Sequence, residues 1–126
     1  MKNAIISVIV FLCLLISIFF FNNSVLNLCN DIKYKTDEIE LILLSNDKQA
    51  AYDKSLELLD LLHEKDFITS IYANHQDFDA IRNEAIKLCV YISHDDITEA
   101  NASLHVIKYS TNIVKSLQEP SLNNIL

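Results

Sequence analysis

Residues 4–21 read AIISVIVFLCLLISIFFF, a run of 18 residues with no charge, no Gly and no Pro. A charged or strongly polar group costs several kcal/mol in hydrocarbon, so bilayer-spanning helices keep such groups out of the apolar core. At about 1.5 Å per residue the run is roughly 27 Å long, close to the thickness of that core. It ties the chain to a membrane, at least at birth.

The run reads as an uncleaved anchor. A removed signal has a shorter apolar region followed by small residues at the cleavage site. Here the run ends in Phe19-Phe20-Phe21, and Asn22-Asn23-Ser24-Val25-Leu26-Asn27 offers only Ser24 as a small residue. A lipidated form would need a small residue before a cysteine, whereas Cys13 follows Phe11-Leu12 and Cys29 follows Asn27-Leu28. Positive charge next to a span favours the cytoplasmic side. Lys2 lies beside the run, and Lys33 and Lys35 lie farther off among Asp31, Asp37 and Glu38. The expected topology is N-terminus inside, with the bulk of the chain extracytoplasmic. The expected division is an anchor at 1–24 and a helical domain at 25–126.

About 105 residues follow the run, enough for one small domain with one core. Setting Lys2 aside leaves 9 Lys+Arg against 17 Asp+Glu, a charge of −8. Nucleic acid and anionic lipid both call for clustered basic surface, so both are poor partners. Glycine is absent from all 126 residues. Phosphate-cradling loops, dinucleotide fingerprints and tight hairpin turns depend on it, so nucleotide-binding folds and β-hairpins are disfavoured and helices favoured. The three cysteines, at 13, 29 and 89, match no zinc or C-x-x-C spacing. They read as small buried apolar residues, with a Cys29–Cys89 disulfide left open if the domain lies outside.

Past the run, apolar residues recur at helical spacing between polar breaks at Ser45-Asn46-Asp47, Asn74-His75-Gln76-Asp77, Ser93-His94-Asp95-Asp96 and Gln118-Glu119-Pro120. The first segment, about 25–44, places Val25, Leu28, Ile32, Ile39 and Ile42 on one face with Lys35 in a gap. It either continues the membrane helix or meets it at a joint at Asn22-Asn23. The second starts near Asp47 and aligns Ala51, Ser55, Leu58, Leu62, Thr69 and Tyr72, interrupted by Lys65; it predicts one helix to about Ala73. The third, from Asp77 to about Ile92, repeats Phe78, Ile81, Ala85, Leu88 and Ile92. The fourth, from Asp96 to Leu117, repeats Ile97, Ala100, Leu104, Ile107, Thr111 and Val114. Such stripes face a core. Asp96 and Glu99 have capping-box spacing. Short turns make neighbouring helices antiparallel. The expected fold is all-α: an N-terminal transmembrane helix followed by a small antiparallel bundle of three or four helices. A faint repeat at an offset of 48 pairs Ser45 with Ser93 and Asp47 with Asp95.

The only constellations with a chemical look are His75 with Asp77 and Asp79, and His94-Asp95-Asp96. Both sit at predicted helix starts, where carboxylates serve the unpaired N–H groups and the positive helix end. His63 and His105 have no ligand partner one turn on, and no His-Glu-x-x-His or Gly-x-Ser-x-Gly pattern occurs. No catalytic, cofactor-binding or metal-binding residue is expected, and no cofactor. The five tyrosines read as half-buried against the core. Beyond Pro120, Leu122, Ile125 and Leu126 are apolar; together with His75 they are the residues set apart for interaction, either with the chain's own bundle or with a partner.

Two stretches carry a family resemblance: Ile71-Tyr72-Ala73-Asn74-His75-Gln76-Asp77-Phe78-Asp79-Ala80-Ile81, and the terminus Pro120-Ser121-Leu122-Asn123-Asn124-Ile125-Leu126. With the anchor at 4–21 and the acidic helical middle, they resemble an uncharacterised family of short bacterial proteins, a domain of unknown function common in anaerobic spore formers. Its members have an aromatic-aliphatic stretch before Asp-His-Glu-Glu-Ile-Asp-x-Ile and end in Ser-Leu-x-Asn-Ile-Phe/Leu. This chain departs in lacking the family's Trp, with Phe67 and Tyr72 nearby, and in having Asn74 where Asp is usual. The resemblance implies a membrane-anchored helical protein without known catalysis. It also hints at an integral membrane protein as partner. The expected function is a non-catalytic interaction or accessory role at the cell membrane. The alternatives are a small-ligand sensor with a site between its helices and a secreted helical protein.

Overall fold

The structure is a computed structural model that describes residues 1–71 and 75–118, with the Ile71 side chain left aside. In chain order the elements are α1 (Lys2–Leu44), α2 (Lys48–Glu64), α3 (Asp66–Ile71), α4 (His75–Ser93) and α5 (Ile97–Gln118), with no strand among the described residues.

α1 has 43 residues and passes through Asn22-Asn23 without a break. The apolar run and the first bundle helix are therefore one element about 64 Å long, with no joint between them. Its two halves meet different surroundings. Residues 1–20 are all exposed. From Val25 a buried stripe begins: Val25, Leu28, Cys29, Ile32, Thr36, Ile39 and Leu43. The gap expected at Lys35 is filled by Thr36, because steps of 4, 3 and 4 carry one face from Ile32 to Leu43. The Thr36 hydroxyl donates to the Lys33 carbonyl at 2.9 Å, so its polar atom is satisfied inside the core. Ile42 is only partly buried, and Leu43 takes the core position.

α2 buries Ala51, Ser55, Leu58 and Leu62. The single helix expected to reach Ala73 instead stops at Glu64, with Lys65 at φ −95° and ψ 9°. Lys65 falls on the apolar stripe, where an ammonium would lose its water, and the chain breaks there. α3 follows as a short separate helix whose Thr69 is buried. Phe67 to Ser70 is thus helical, although its β-branched residues also suit a strand. Tyr72, Ala73 and Asn74 lie outside the described residues. α4 starts at His75, two residues before the expected Asp77, so Asp77 belongs to the first turn and is not the cap. Its buried set is Phe78, Ile81, Ala85, Leu88, Cys89 and Ile92. α5 buries Ala100, Ser103, Leu104, Ile107, Thr111 and Val114, while Ile97 in the first turn stays exposed.

The distal half of α1, α2, α4 and α5 form a ring of four helices. α1 packs on α2 and α5, and α4 packs on α2 and α5, with α3 seated against α1, α2 and α4. Their stripes merge into one core, in which Leu28, Ile32, Ile39, Leu58, Phe78, Ile81, Leu88, Ile92, Leu104 and Ile107 are at most 1 % exposed. Burial of each large side chain stabilises by about 1.5–3 kcal/mol, which identifies this shared core as the main force holding the ring together.

The two turns that close the hairpins α1–α2 and α4–α5 are built alike. Ser45 N–H donates to the Leu41 carbonyl and His94 N–H to that of Val90. Asn46 N–H donates to Leu43 and Asp95 N–H to Ile92. Asp47 caps α2 through Ala50 N–H (3.1 Å), and Asp96 caps α5 through Glu99 N–H (3.2 Å). Every pair is 49 apart. The suspected offset of 48 is therefore one short: it equates Asp47, a cap, with Asp95, which holds the left-handed position. At 49 the buried stripes coincide as well, Ile32 with Ile81, Ile39 with Leu88, Ala51 with Ala100 and Leu58 with Ile107.

Candidate functional site

His75 stands at the start of α4, exposed, with Asp77 and Asp79 exposed beside it. The three do not form a site. Asp79 turns to Arg82, one helical turn on, at 3.4 Å. Arg82, the chain's single arginine, also pairs with Asp66 at the head of α3. Its guanidinium ties α3 to α4, a structural role that no spacing in the sequence announces, since Asp66 and Arg82 are neighbours only after the chain turns back. No group of three or more His, Cys, Asp or Glu that could hold a metal occurs among the described residues. At the other helix start, the His94 ring sits 2.9 Å from the Val90 carbonyl, Asp95 pairs with Lys48 at 3.2 Å and Asp96 caps α5. The reciprocal half of the expected capping box does not form, because the Asp96 N–H donates to the Tyr91 carbonyl at 2.9 Å. Leu122, Ile125 and Leu126 lie outside the described residues.

The charged residues that do converge lie along helix seams. Between α1 and α2, Lys35 pairs with Glu57 (3.3 Å), and Lys54 bridges Glu57 and Glu38 at 3.2 Å each. Hydrogen bonds from Tyr34 and Lys54 hold the Glu38 carboxyl below its usual range, and the same bond to Glu38 raises the Tyr34 phenol. Between α1 and α5, Lys108 bridges Asp37, at 2.9 Å, and Glu40. Burial opposes its charge, but hydrogen bonds to Glu40 and Asp37 outweigh that, and its pKa is raised. These networks lie on solvent-facing edges and set helix register; none surrounds a cleft.

Cys29 and Cys89 are buried free thiols, and Cys13 is free and exposed on the apolar run. Burial pushes Cys29 up to about 11, against a weaker pull from Lys115. Cys89 is also raised by burial, although its contact with the Ser55 hydroxyl at 3.2 Å opposes the rise. Neither has the lowered pKa of a reactive thiol. A surface recess of about 220 Å³ lies where the two turns meet, lined by Leu43, Asn46, Asp47, Lys48, Asp95 and Ile97. Its charged rim differs from the apolar interhelical pocket that a ligand sensor of this architecture would use.

The remaining feature with functional content is the proximal half of α1. It is long and apolar enough to cross a membrane, and its most apolar window has no buried residue. An exposed face of this kind has no counterpart in a folded soluble core. Comparison with curated proteins and with solved structures finds no match. A family model does match, over residues 19–125, taking in the last turn of the apolar run and the whole helical ring. By that match the chain belongs to the family described as Domain of unknown function (DUF4363).

Proposed function

We propose that this protein is a non-catalytic interaction or accessory protein, held at the cell membrane by residues 4–21, with its helical ring outside the cytoplasm and an integral membrane protein as its partner. The observation that supports this reading most is the continuity of α1. One helix supplies both the apolar span and about a third of the buried apolar core, without a break at Asn22-Asn23. A removable signal has no need to be built into the fold it precedes, whereas an anchor gains a fixed bearing on the domain. The side-chain arrangement supports the non-catalytic part. Buried carboxylate pairs, activated thiols and nucleophile–base pairs are the groups that carry acid–base or covalent catalysis. Here Glu38, Glu57, Asp37 and Glu40 brace helix seams, and burial raises the pKa of the Cys29 and Cys89 thiols.

The test is a C-terminally tagged chain in fractionated cells, with protease added to spheroplasts. The tag is expected in the membrane fraction and to be lost to external protease. Tag in the medium would end the anchoring reading, and a protected membrane tag would put the ring in the cytoplasm. Gentle crosslinking in detergent is expected to recover a specific membrane protein with the chain; recovery of a lone monomer would remove the partner.

A further inference from the structure

α3 has little of its own to hold it in place. A helix of six residues does not form by itself in water. Thr69 is buried and Ile68 is partly buried against the core, but Asp66, Phe67 and Ser70 are exposed, Phe67 to 73 %. Lys65 parts α3 from α2 as a non-helical joint. The Thr69 and Ser70 hydroxyls donate back into α3, to the Asp66 carbonyl at 3.1 Å and the Phe67 carbonyl at 2.9 Å. Among the described residues one side-chain bond leaves α3, and it joins the Asp66 carboxylate to the Arg82 guanidinium of α4. The two side chains are 52 % and 28 % exposed, so water and salt weaken the pair. Arg82 is shared with Asp79, and its Nε–H is buried without an acceptor among the described residues, which offsets part of what the pair contributes.

Chain order says what α3 covers. Leu62 is the last buried residue of α2, and Phe78 is the first of α4. Lys35 opposite Glu57 and Glu38 opposite Lys54 set α1 antiparallel to α2, so Val25, the first residue of the α1 stripe, stands toward the same end. α3 is seated against these three helices, and Val25, Leu62 and Phe78 are all buried.

We propose that α3 is a strap across this end of the core, latched by Asp66 and Arg82, which swings open at Lys65 as a unit while the four-helix ring stays folded. Opening uncovers an apolar mouth at Val25, Leu62 and Phe78, at the end of the ring nearest the apolar run of α1. Segments with few buried contacts open in this way ahead of global unfolding. The ring does not depend on the strap, because the four stripes close on one another without it.

The test is amide hydrogen exchange on the full chain in micelles, for the parent and for Arg82→Gln, Asp66→Asn and Arg82→Lys. In the parent, the Thr69 and Ser70 amides are expected to be roughly tenfold or more less protected than those of Leu58, Leu88 and Leu104. Arg82→Gln and Asp66→Asn should each speed exchange at Thr69 and Ser70 by about 2–5-fold and leave the three ring amides unchanged. Arg82→Lys keeps the charge and should stay near the parent. Added denaturant should speed exchange at Thr69 measurably, yet less steeply than at Leu88, because opening exposes the mouth alone. Protection at Thr69 equal to that at Leu88 would mean that α3 opens only with the ring, which overturns the strap. An equal gain at Thr69 and Leu88 in both variants would make the pair a brace of the whole fold, and no gain at Thr69 in either would remove the latch; each overturns the proposal. A flat denaturant response at Thr69 would mean fraying that uncovers nothing, and would overturn the mouth.

Discussion

Asn46 and Asp95 hold φ of 62° and 59°, the left-handed values at which helices usually end on glycine. In a chain without glycine the two residues best able to replace it stand at both helix–helix turns. Their short polar side chains tolerate this conformation where a β-branched residue would clash. Asn46→Ala should lower stability by about 1 kcal/mol, while Asn46→Gly should keep or raise it. Denaturant unfolding of the full chain in micelles, followed by circular dichroism, would show this. Equal loss for both substitutions would mean that the side chain and not the backbone angle matters. Cys29 makes a second prediction at this scale. Its thiol titrates near 9 when unfolded and near 11 when folded, so the folded state holds its proton longer. The associated stability is complete below pH 9 and is lost as pH rises from 9 to 11. Cys29→Ala should therefore show a shallower fall in stability across that window than the parent chain. Parallel pH profiles would place the loss on other groups.

Among the elements, two hairpins carry the same pattern of caps, turns and buried positions at an offset of 49, with little identity in the side chains that fill it. Physical requirements explain how the pattern holds without identity. A left-handed residue, a cap and a 3/4 stripe each accept several residue types. Leu58 in α2 and Ile107 in α5 are equivalent on this count, and both are 0 % exposed. Leu58→Ala and Ile107→Ala should each cost about 2–5 kcal/mol. A cost below about 1 kcal/mol at either, in the same unfolding experiment, would show that the two hairpins do not share the core equally. Neither hairpin alone covers its stripe, since α1 needs α5 and α2 needs α4 on their second flanks.

As a whole the molecule presents two kinds of surface. One end of α1 is apolar on every side, as hydrocarbon demands, and the other is apolar on one stripe, as a watery surface with a core demands. Because the change happens inside one helix, the bearing of the ring on the apolar segment follows from the helix itself. A flexible linker would leave the ring free to tumble. Here the hairpin turns at the far end of the ring stand about 35 Å along the helix from the last residue of the apolar run.

The all-α class, the long apolar N-terminal helix and nearly all of the core were legible in the sequence, because helix formation and burial follow a local period that each segment carries by itself. Ile32, Leu58, Phe78, Ile81, Ala85, Leu88, Leu104 and Ile107 stand where their spacing placed them. The misplacements came where one position had competing local readings. Thr36 and Lys35 both flank the stripe of α1, and only the neighbours decide which is buried: Glu57 of α2 draws Lys35 outward. The break at Lys65 and the offset of 49 likewise depend on what the segment packs against. Of the carboxylates beside His75, Asp79 serves Arg82 and Asp77 stands in the first turn of α4. The tertiary structure alone decided that Asp66 would meet Arg82, that Lys108 would bridge Asp37 and Glu40, and that α3 would pack on α1. These are contacts between residues far apart in the chain. No local period encodes them; they exist only once four separate stripes close around one core.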